Sequence, residues 1–247
     1  MQVDTGSCEA SAQACRQRPS GNGCENCQVR PISVCSALSV RELAEMEALS
    51  QHARLDKGQA LFGQDEPAGA VFNVIEGSLR LSRLLPDGRR QVMGFALPGD
   101  FLGLAPQERH SVSAEALAPV RTCRFERRDF ARLVEAKPHL LMSLHERAGY
   151  ELTLAQDQML LLGRRTAEEK VAAFLLALRE RYARATGHAS VTVELPMGRQ
   201  DMGDYLGLTI ETVSRMLTRL DRARAILLVP GGARLLDVAR LERLAAS

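Results

Sequence analysis

Three cysteines crowd a short polar stretch near the N-terminus with the spacing Cys24-x2-Cys27-x7-Cys35. Thiols set among Gly, Asn, Glu and Gln make a poor core but a good claw for a soft centre, because thiolates bind zinc or an iron–sulfur cluster well. A tetrathiolate site needs a fourth ligand, and the next cysteine along the chain is Cys123, in a different segment. A site closed by Cys24, Cys27, Cys35 and Cys123 would staple the polar tail onto a folded domain. Loss of the metal would then change structure, which is what a sensor requires. Cys8 and Cys15 fall outside this spacing and read as free thiols. A ligand set using Cys15 would need the tail to fold back. His52, His110, His139, His145 and His188 show no metal-ligand spacing.

A second group of side chains, near the other end, suits the reading of bases. Arg199–Leu206 reads as a helix, Gly207-Leu208 as a turn and Thr209 as the N-cap of a second helix. Ile210, Val213, Leu217 and Leu220 then form a buried stripe, and Glu211, Ser214, Arg215 and Thr218 project from the opposite face. In a helix-turn-helix that face meets base edges in the major groove of double-stranded DNA. Arginine can bond guanine through two acceptors, and glutamate can accept from the cytosine amino group. Arg199, Arg219, Arg222 and Arg224 are expected at phosphates. The plainer alternative is that Glu211 and Arg215, four residues apart, form a surface ion pair.

These groups need a scaffold, and 247 residues allow one large domain or two small ones. A net charge of +2 is too small for a bulk basic field, so any hold on nucleic acid must come from local arginines. The N-terminus lacks the features of a secretion signal, and apolar runs such as 171–178 are too short to span a bilayer. The expectation is a cytoplasmic protein, with no membrane partner, whose thiols stay reduced. No paired catalytic carboxylates, phosphate-cradling glycine loop or Ser/His/Asp constellation is present, so an enzyme is not expected.

Along the chain, 1–36 is a cysteine-rich tail whose polar composition gives it no core of its own. Residues 37–136 open with a capping box, Ser39-Val40-Arg41-Glu42. They continue as short strand-like runs (70–75, 79–82, 91–95) between turn signals such as Pro86-Asp87-Gly88 and Pro98-Gly99-Asp100, which suggests a small antiparallel barrel or roll. Residues 137–163 read as a long amphipathic helix. Its Leu141, Leu144, Ala148, Leu152, Ala155, Met159 and Leu162 form a narrow seam suited to a homodimer, or else to packing on its own domain. Asp157, close to Leu154 and Met159, is an unusual carboxylate for such a seam. Residues 164–247 begin with a second capping box, Thr166-Ala167-Glu168-Glu169, and end with a hairpin turning at Gly231-Gly232. The fold class is α+β: an N-terminal antiparallel β-roll, a long dimerisation helix and a C-terminal winged helix-turn-helix domain.

Several stretches resemble signatures of the cyclic-AMP receptor superfamily, and within it the fumarate–nitrate reduction regulators. They are Gly99-Asp100-Phe101-Leu102-Gly103, Arg121-Thr122-Cys123-Arg124-Phe125, the block 160–169, and Glu211-Thr212-Val213-Ser214-Arg215. The resemblance runs from about Cys24 to the C-terminus. It implies a cyclic-nucleotide-binding-like roll and a 4Fe-4S cluster on Cys24, Cys27, Cys35 and Cys123. The x7 spacing is longer than the x5 of the best-known members and is similar to a variant of the branch. It also implies that Glu211, Ser214 and Arg215 read a TTGAT-N4-ATCAA-like palindrome under low oxygen, and that Leu154 and Asp157 act as a dimer switch. Pro86, Asp87, Gly88 and Arg89 resemble an activating loop that contacts RNA polymerase. His110-Ser111 stands where nucleotide-binding members carry Arg-Ser, with no neighbouring Gly-Glu, so no cyclic nucleotide is expected. The rival readings are structural zinc, a haem, nitric oxide or thiol-redox sensor on the same fold, and an iron–sulfur enzyme or electron carrier.

Overall fold

Between Ser50 and Glu126, glycine turns divide the chain into short strands. These are β1 (Ser50–Leu55), β2 (Ala60–Phe62), β3 (Ala70–Glu76), β4 (Leu79–Leu84), β5 (Arg90–Ala96), β6 (Phe101–Leu102), β7 (Ser113–Ala116) and β8 (Val120–Glu126). The computed structural model describes residues 23–105, 107–188 and 190–246, so Cys8 and Cys15 lie outside the described residues. The strands pair antiparallel in two four-stranded sheets, ordered β1-β8-β3-β6 and β2-β7-β4-β5. Phe62, Phe72, Val74, Leu79, Ala114 and Val120 fill the space between them. β3 is buried on both faces, because successive side chains point oppositely. Phe72 and Val74 face the inner core, whereas Val71 and Ile75 belong to a second cluster outside it.

That second cluster is where the tail lands. Three short 3-10 turns, Cys24–Asn26, Arg30–Ile32 and Val34–Ala37, lead into α1 (Val40–Leu49), which opens with the Ser39–Glu42 capping box. Val29, Val34 and Leu38 are buried there with Leu43 and Met46 of α1 and Val71, Cys123 and Phe125 of the sheet. The expectation of a tail without a core is corrected for this stretch. A few well-spaced apolar residues dock it, although composition averaged over 36 positions conceals them.

Beyond the roll come α2 (Arg127–Glu135) and α3 (Pro138–Arg164). α4 (Ala167–Thr186) opens with the Thr166–Glu169 capping box. Then follow β9 (Thr192–Glu194), α5 (Arg199–Leu206), α6 (Ile210–Arg222), the hairpin β10 (Ile226–Val229) and β11 (Gly232–Leu235), and α7 (Val238–Ala246). The sheet β10-β11-β9 is the wing of a helix-turn-helix domain. Its core continues into the roll: Val92, Phe95, Leu97 and Leu117 share one cluster with Leu161, Phe174, Leu175, Met202 and Leu206.

Candidate metal claw and nucleic-acid interface

Cys123 sits on β8, the strand between β1 and β3, and pairs with His52 on one side and Asn73 on the other. Its side chain is 6% exposed, with Sγ 3.9 Å from His52 Nε2. The tail brings the other thiols over this row. Glu47 Oε2 accepts from the Cys24 backbone N–H at 3.0 Å, and Ser33 Oγ accepts from the Cys35 N–H at 3.3 Å, capping the third turn. Cys35 Sγ lies 3.8 Å from Met46 Sδ and 4.0 Å from Asn73 Nδ2.

Burial pushes the Cys24 thiol up to about 12, with Glu47 and the sulfurs of Cys35 and Cys27 adding to the rise. Burial also raises Cys35 and Cys123, and in Cys123 the other three cysteines contribute. The four predicted ligands therefore share one partly buried cluster and lie near enough to influence each other's charge. As neutral thiols Cys24, Cys35 and Cys123 are costly to ionise there, and a bound cation is what would offset that cost, with release of protons. An all-sulfur donor set of four fits a soft centre. Among the described residues no three His, Cys, Asp or Glu side chains are drawn together tightly enough to hold one metal ion. A single zinc, with Zn–S bonds of about 2.3 Å, would need the sulfurs within about 4 Å of one another.

Asn73 is a site residue that sequence reasoning missed. It is 1% exposed, its Oδ1 has no partner among the described residues, and it is the one polar side chain within the run Ala70–Ile75. That lone amide in an otherwise apolar strand was the available signal.

At the other end the helix-turn-helix has the expected bounds. Gly207 ends α5 in the left-handed conformation (φ 63°), and a Cβ at Gly203 would stand 2.6 Å from Leu208 O, so the turn can be this tight only with glycine. Thr209 caps α6, its Oγ1 accepting from the Thr212 N–H at 3.2 Å. Glu211, Ser214, Arg215 and Thr218 are all exposed on one face. Its own backbone N–H and the Thr209 hydroxyl hold the Glu211 carboxyl below its ordinary range, which keeps it an acceptor. The Glu211–Arg215 ion pair does not form among the described residues; Arg215 Nη2 instead lies 3.4 Å from Thr212 Oγ1.

Three expectations change. Ile210 is 39% exposed, and Met216 takes its place in the buried stripe with Val213, Leu217 and Leu220. The first residue of a helix projects past the core edge. Arg219 is paired with Glu168 of α4 at 3.2 Å rather than standing free for a phosphate. Arg199 is half-buried, with Nη1 enclosed and without a partner among the described residues, and burial lowers its pKa.

On α3, Leu141, Ala148, Leu152, Ala155, Met159 and Leu162 are exposed, a stripe with the alternating three- and four-residue steps of a coiled-coil seam. Leu144 is not part of it and packs on the chain's own cluster. Leu154 is half-buried and Asp157 exposed. At 100° per residue, Asp157 falls about half a turn from Ala155 and Met159. Pro86, Asp87, Gly88 and Arg89 form the exposed tip of the β4–β5 hairpin, where Asp87 pairs with Arg89 at 2.7 Å. In the roll, His110 stacks on Phe62 with ring centroids 3.8 Å apart, lining a cavity of about 90 Å³ with Leu81, Leu102 and Arg109. Ordinary small-molecule sites start at roughly 300 Å³. Among the described residues no helix is long and apolar enough to cross a membrane.

An antiparallel β-roll joined through a long helix to a winged helix-turn-helix defines a DNA-binding transcription regulator rather than an enzyme. Residues 52–137 match the cyclic nucleotide-binding domain family and 169–244 the Crp-like helix-turn-helix domain family. The transcriptional activatory protein AadR of Rhodopseudomonas palustris is 54% identical over 92% of this chain and 95% of its own length. The nitrogen fixation regulation protein FixK of Bradyrhizobium diazoefficiens is 51% identical over 93% and 96%. The structure of FixK2 from Bradyrhizobium japonicum, 37% identical, superposes with a TM-score of 0.74 over 80% of this chain and 98% of that one. The chain belongs to the CRP/FNR family of transcription regulators.

Proposed function

We propose that the protein is an oxygen-responsive transcription activator that binds a TTGAT-N4-ATCAA-like palindrome as a homodimer when oxygen is low. The observation that carries this reading is that Cys24, Cys27, Cys35 and Cys123 all belong to or pack against one hydrophobic cluster of tail, α1 and sheet. The 3-10 turn bearing Cys35 packs directly on α3, the helix whose exposed stripe is suited to a second copy. A 4Fe-4S cluster bound there would supply an oxygen-labile cross-link between tail and sheet. That link would add to the apolar docking of Val29, Val34 and Leu38, so its loss would loosen the tail's hold on α3 without abolishing it. The name of AadR, a transcriptional activatory protein, supports activation, and the exposed β4–β5 tip supports contact with RNA polymerase. The small His110-lined cavity supports a roll that does not take cyclic nucleotide. The test is a visible spectrum of anaerobically purified protein before and after air, with operator binding on the same samples. A brown colour that bleaches as binding is lost is expected; a colourless protein would move the cysteines to zinc or redox thiols.

On this reading Arg215→Ala should weaken operator binding by about 1–3 kcal/mol and relax the preference at one base pair only. Fluorescence anisotropy against single-base operator variants checks it, and a uniform loss across all variants would assign Arg215 to the backbone instead. Asp157→Ala is expected to give a dimer that survives air, through loss of like-charge repulsion. The family resemblance supports this, whereas the half-turn offset from the apolar stripe argues for a solvated edge. Sedimentation in air separates the two, because an unchanged, air-sensitive dimer leaves the seam to the stripe alone.

A further inference from the structure

The last turn of α5 is held from three directions. An α-helix ends with backbone carbonyls that have no partner within the helix. Here Asp204 O accepts from Gln91 Nε2 of β5 at 2.5 Å, Tyr205 O from Gln158 Nε2 of α3 at 2.7 Å, and Leu206 O from the buried Lys170 Nζ of α4 at 3.2 Å. Each donor belongs to a different body: the roll, the long helix and the DNA-reading domain itself. The carboxylates of α5 add to this. Asp201 Oδ1 meets Arg80 Nη1 at 2.5 Å and Arg90 Nη2 at 2.9 Å, and Asp204 Oδ2 meets Arg90 Nη2 at 2.9 Å. The Arg80 and Asp201 side chains are each only 10% exposed, so these pairs are poorly screened. The Tyr205 ring packs against Phe95 of β5 and Phe174 of α4. All of this leaves Glu211, Ser214 and Arg215 exposed.

Only Arg165 and Thr166 separate α3 from α4, and Arg165 is extended (φ −86°, ψ 144°). Such a junction alone is a hinge, because one or two residues can absorb a large change of direction. A palindrome requires two recognition helices about 34 Å apart. We infer that α5 is the gauge that fixes this separation, with Arg90, Gln91 and Gln158 as positioning residues that transmit the roll and the long helix to the recognition helix. The inference rests on the dimeric operator proposed above. It adds that the sensor domain sets which half-site spacing is read, through the β4–β5 hairpin whose tip is the Pro86–Arg89 loop.

The experiment compares the full chain, prepared without oxygen, on two palindromes that differ only in spacer, N4 and N6. The quantity read is the ratio of the two Kd values. Arg90→Glu and Asp204→Arg, each alone, are expected to lower the wild-type spacing preference about 10-fold or more, within the usual range of coupling between sites. Combining them should restore part of it, because the pair between positions 90 and 204 is remade with its charges exchanged while Asp201, the other partner of Arg90, still faces the new carboxylate. Gln158→Leu, which changes no charge, should lower it as well. The ratio is internally normalised, so a variant that merely folds less well weakens both operators equally and leaves it unmoved. An unmoved ratio in the single variants, or no rescue in the double, overturns the inference. So does a wild-type protein that binds both spacers alike. If the wild type binds neither palindrome, the operator assignment fails, and the same ratio is read on a palindrome selected from random DNA.

Discussion

Changing any one of Cys24, Cys27, Cys35 or Cys123 to serine is expected to abolish the colour of anaerobic protein and its response to air, and changing all four should do no more. Residues that act as one unit are strongly non-additive, because a site short of one ligand no longer holds its centre. The outcome for DNA is an anaerobic operator affinity as low as that of aerated wild type, a loss of about 5- to 150-fold if the coupling is of ordinary size. The four positions are not equivalent as variants. Cys123 is 6% exposed in the central strand, so a serine hydroxyl there loses a buried thiol and costs about 1–3 kcal/mol of folding stability unless it finds a partner. Cys24 and Cys27 are half-buried at the tail edge, and serine there should leave thermal unfolding of the metal-free chain almost unchanged. Cys24→Ser is therefore the cleaner test, with Cys123→Ser as its check from the sheet side. Iron content, visible absorption and anisotropy on the operator are the readouts. A Cys8→Ser/Cys15→Ser double variant should keep all three. If it loses colour while Cys35→Ser keeps it, the ligand set is wrong.

The sequence displayed the reading module more fully than the sensing one. Helix, turn and N-cap from Arg199 to Thr209 were legible because glycine at the end of one helix and threonine at the start of the next are local chemical requirements. The same holds for both capping boxes and for the hairpin at Gly231-Gly232. α7 escaped, since nothing distinguished its short apolar pattern from a tail. Tertiary partners were not legible at all. Arg219 looked like a free cation because Glu168, its partner, is 51 residues away. Nothing local marked Arg80, in the strand-like run 79–82, or Arg90, just before the run 91–95, as partners of the α5 carboxylates. The tail looked coreless because Val29, Val34 and Leu38 find their core on another segment. Local rules fix caps and turns, whereas long-range complementarity decides which charged or apolar side chain ends up paired.

Asp100→Ala is the substitution outside the cysteines with the largest expected cost. Asp100 Oδ1 pairs with Arg147 of α3, and Oδ2 with Arg181 of α4 at 2.6 Å while also accepting from the Leu97 N–H at 2.9 Å. The three side chains are 13%, 20% and 18% exposed, so two guanidiniums are held on one largely enclosed carboxylate. Removing one partner of a buried pair costs about 3–5 kcal/mol, because the remaining charge stays desolvated. Residual exposure and the second, weaker partner of Arg147, Glu151 at 3.5 Å, reduce this to about 2–4 kcal/mol. Asp100→Asn should cost less, since an amide oxygen can still accept from Leu97 and one arginine. The position also connects the tail to the helices. Gly99 has φ +92° and its Cα faces Ile32 so closely that a Cβ would stand 2.7 Å from Ile32 Cδ1. The segment between Cys27 and Cys35 thus presses on the loop that fastens α3 and α4 to the roll. Urea unfolding should show a lower midpoint for Asp100→Ala. Beyond that, the variant should lose the difference in operator affinity between anaerobic and aerated protein even at temperatures where it remains folded. A variant that is destabilised yet still switches would make Asp100 a fastening alone and leave the packing of the Cys35 turn on α3 as the route from thiols to dimer.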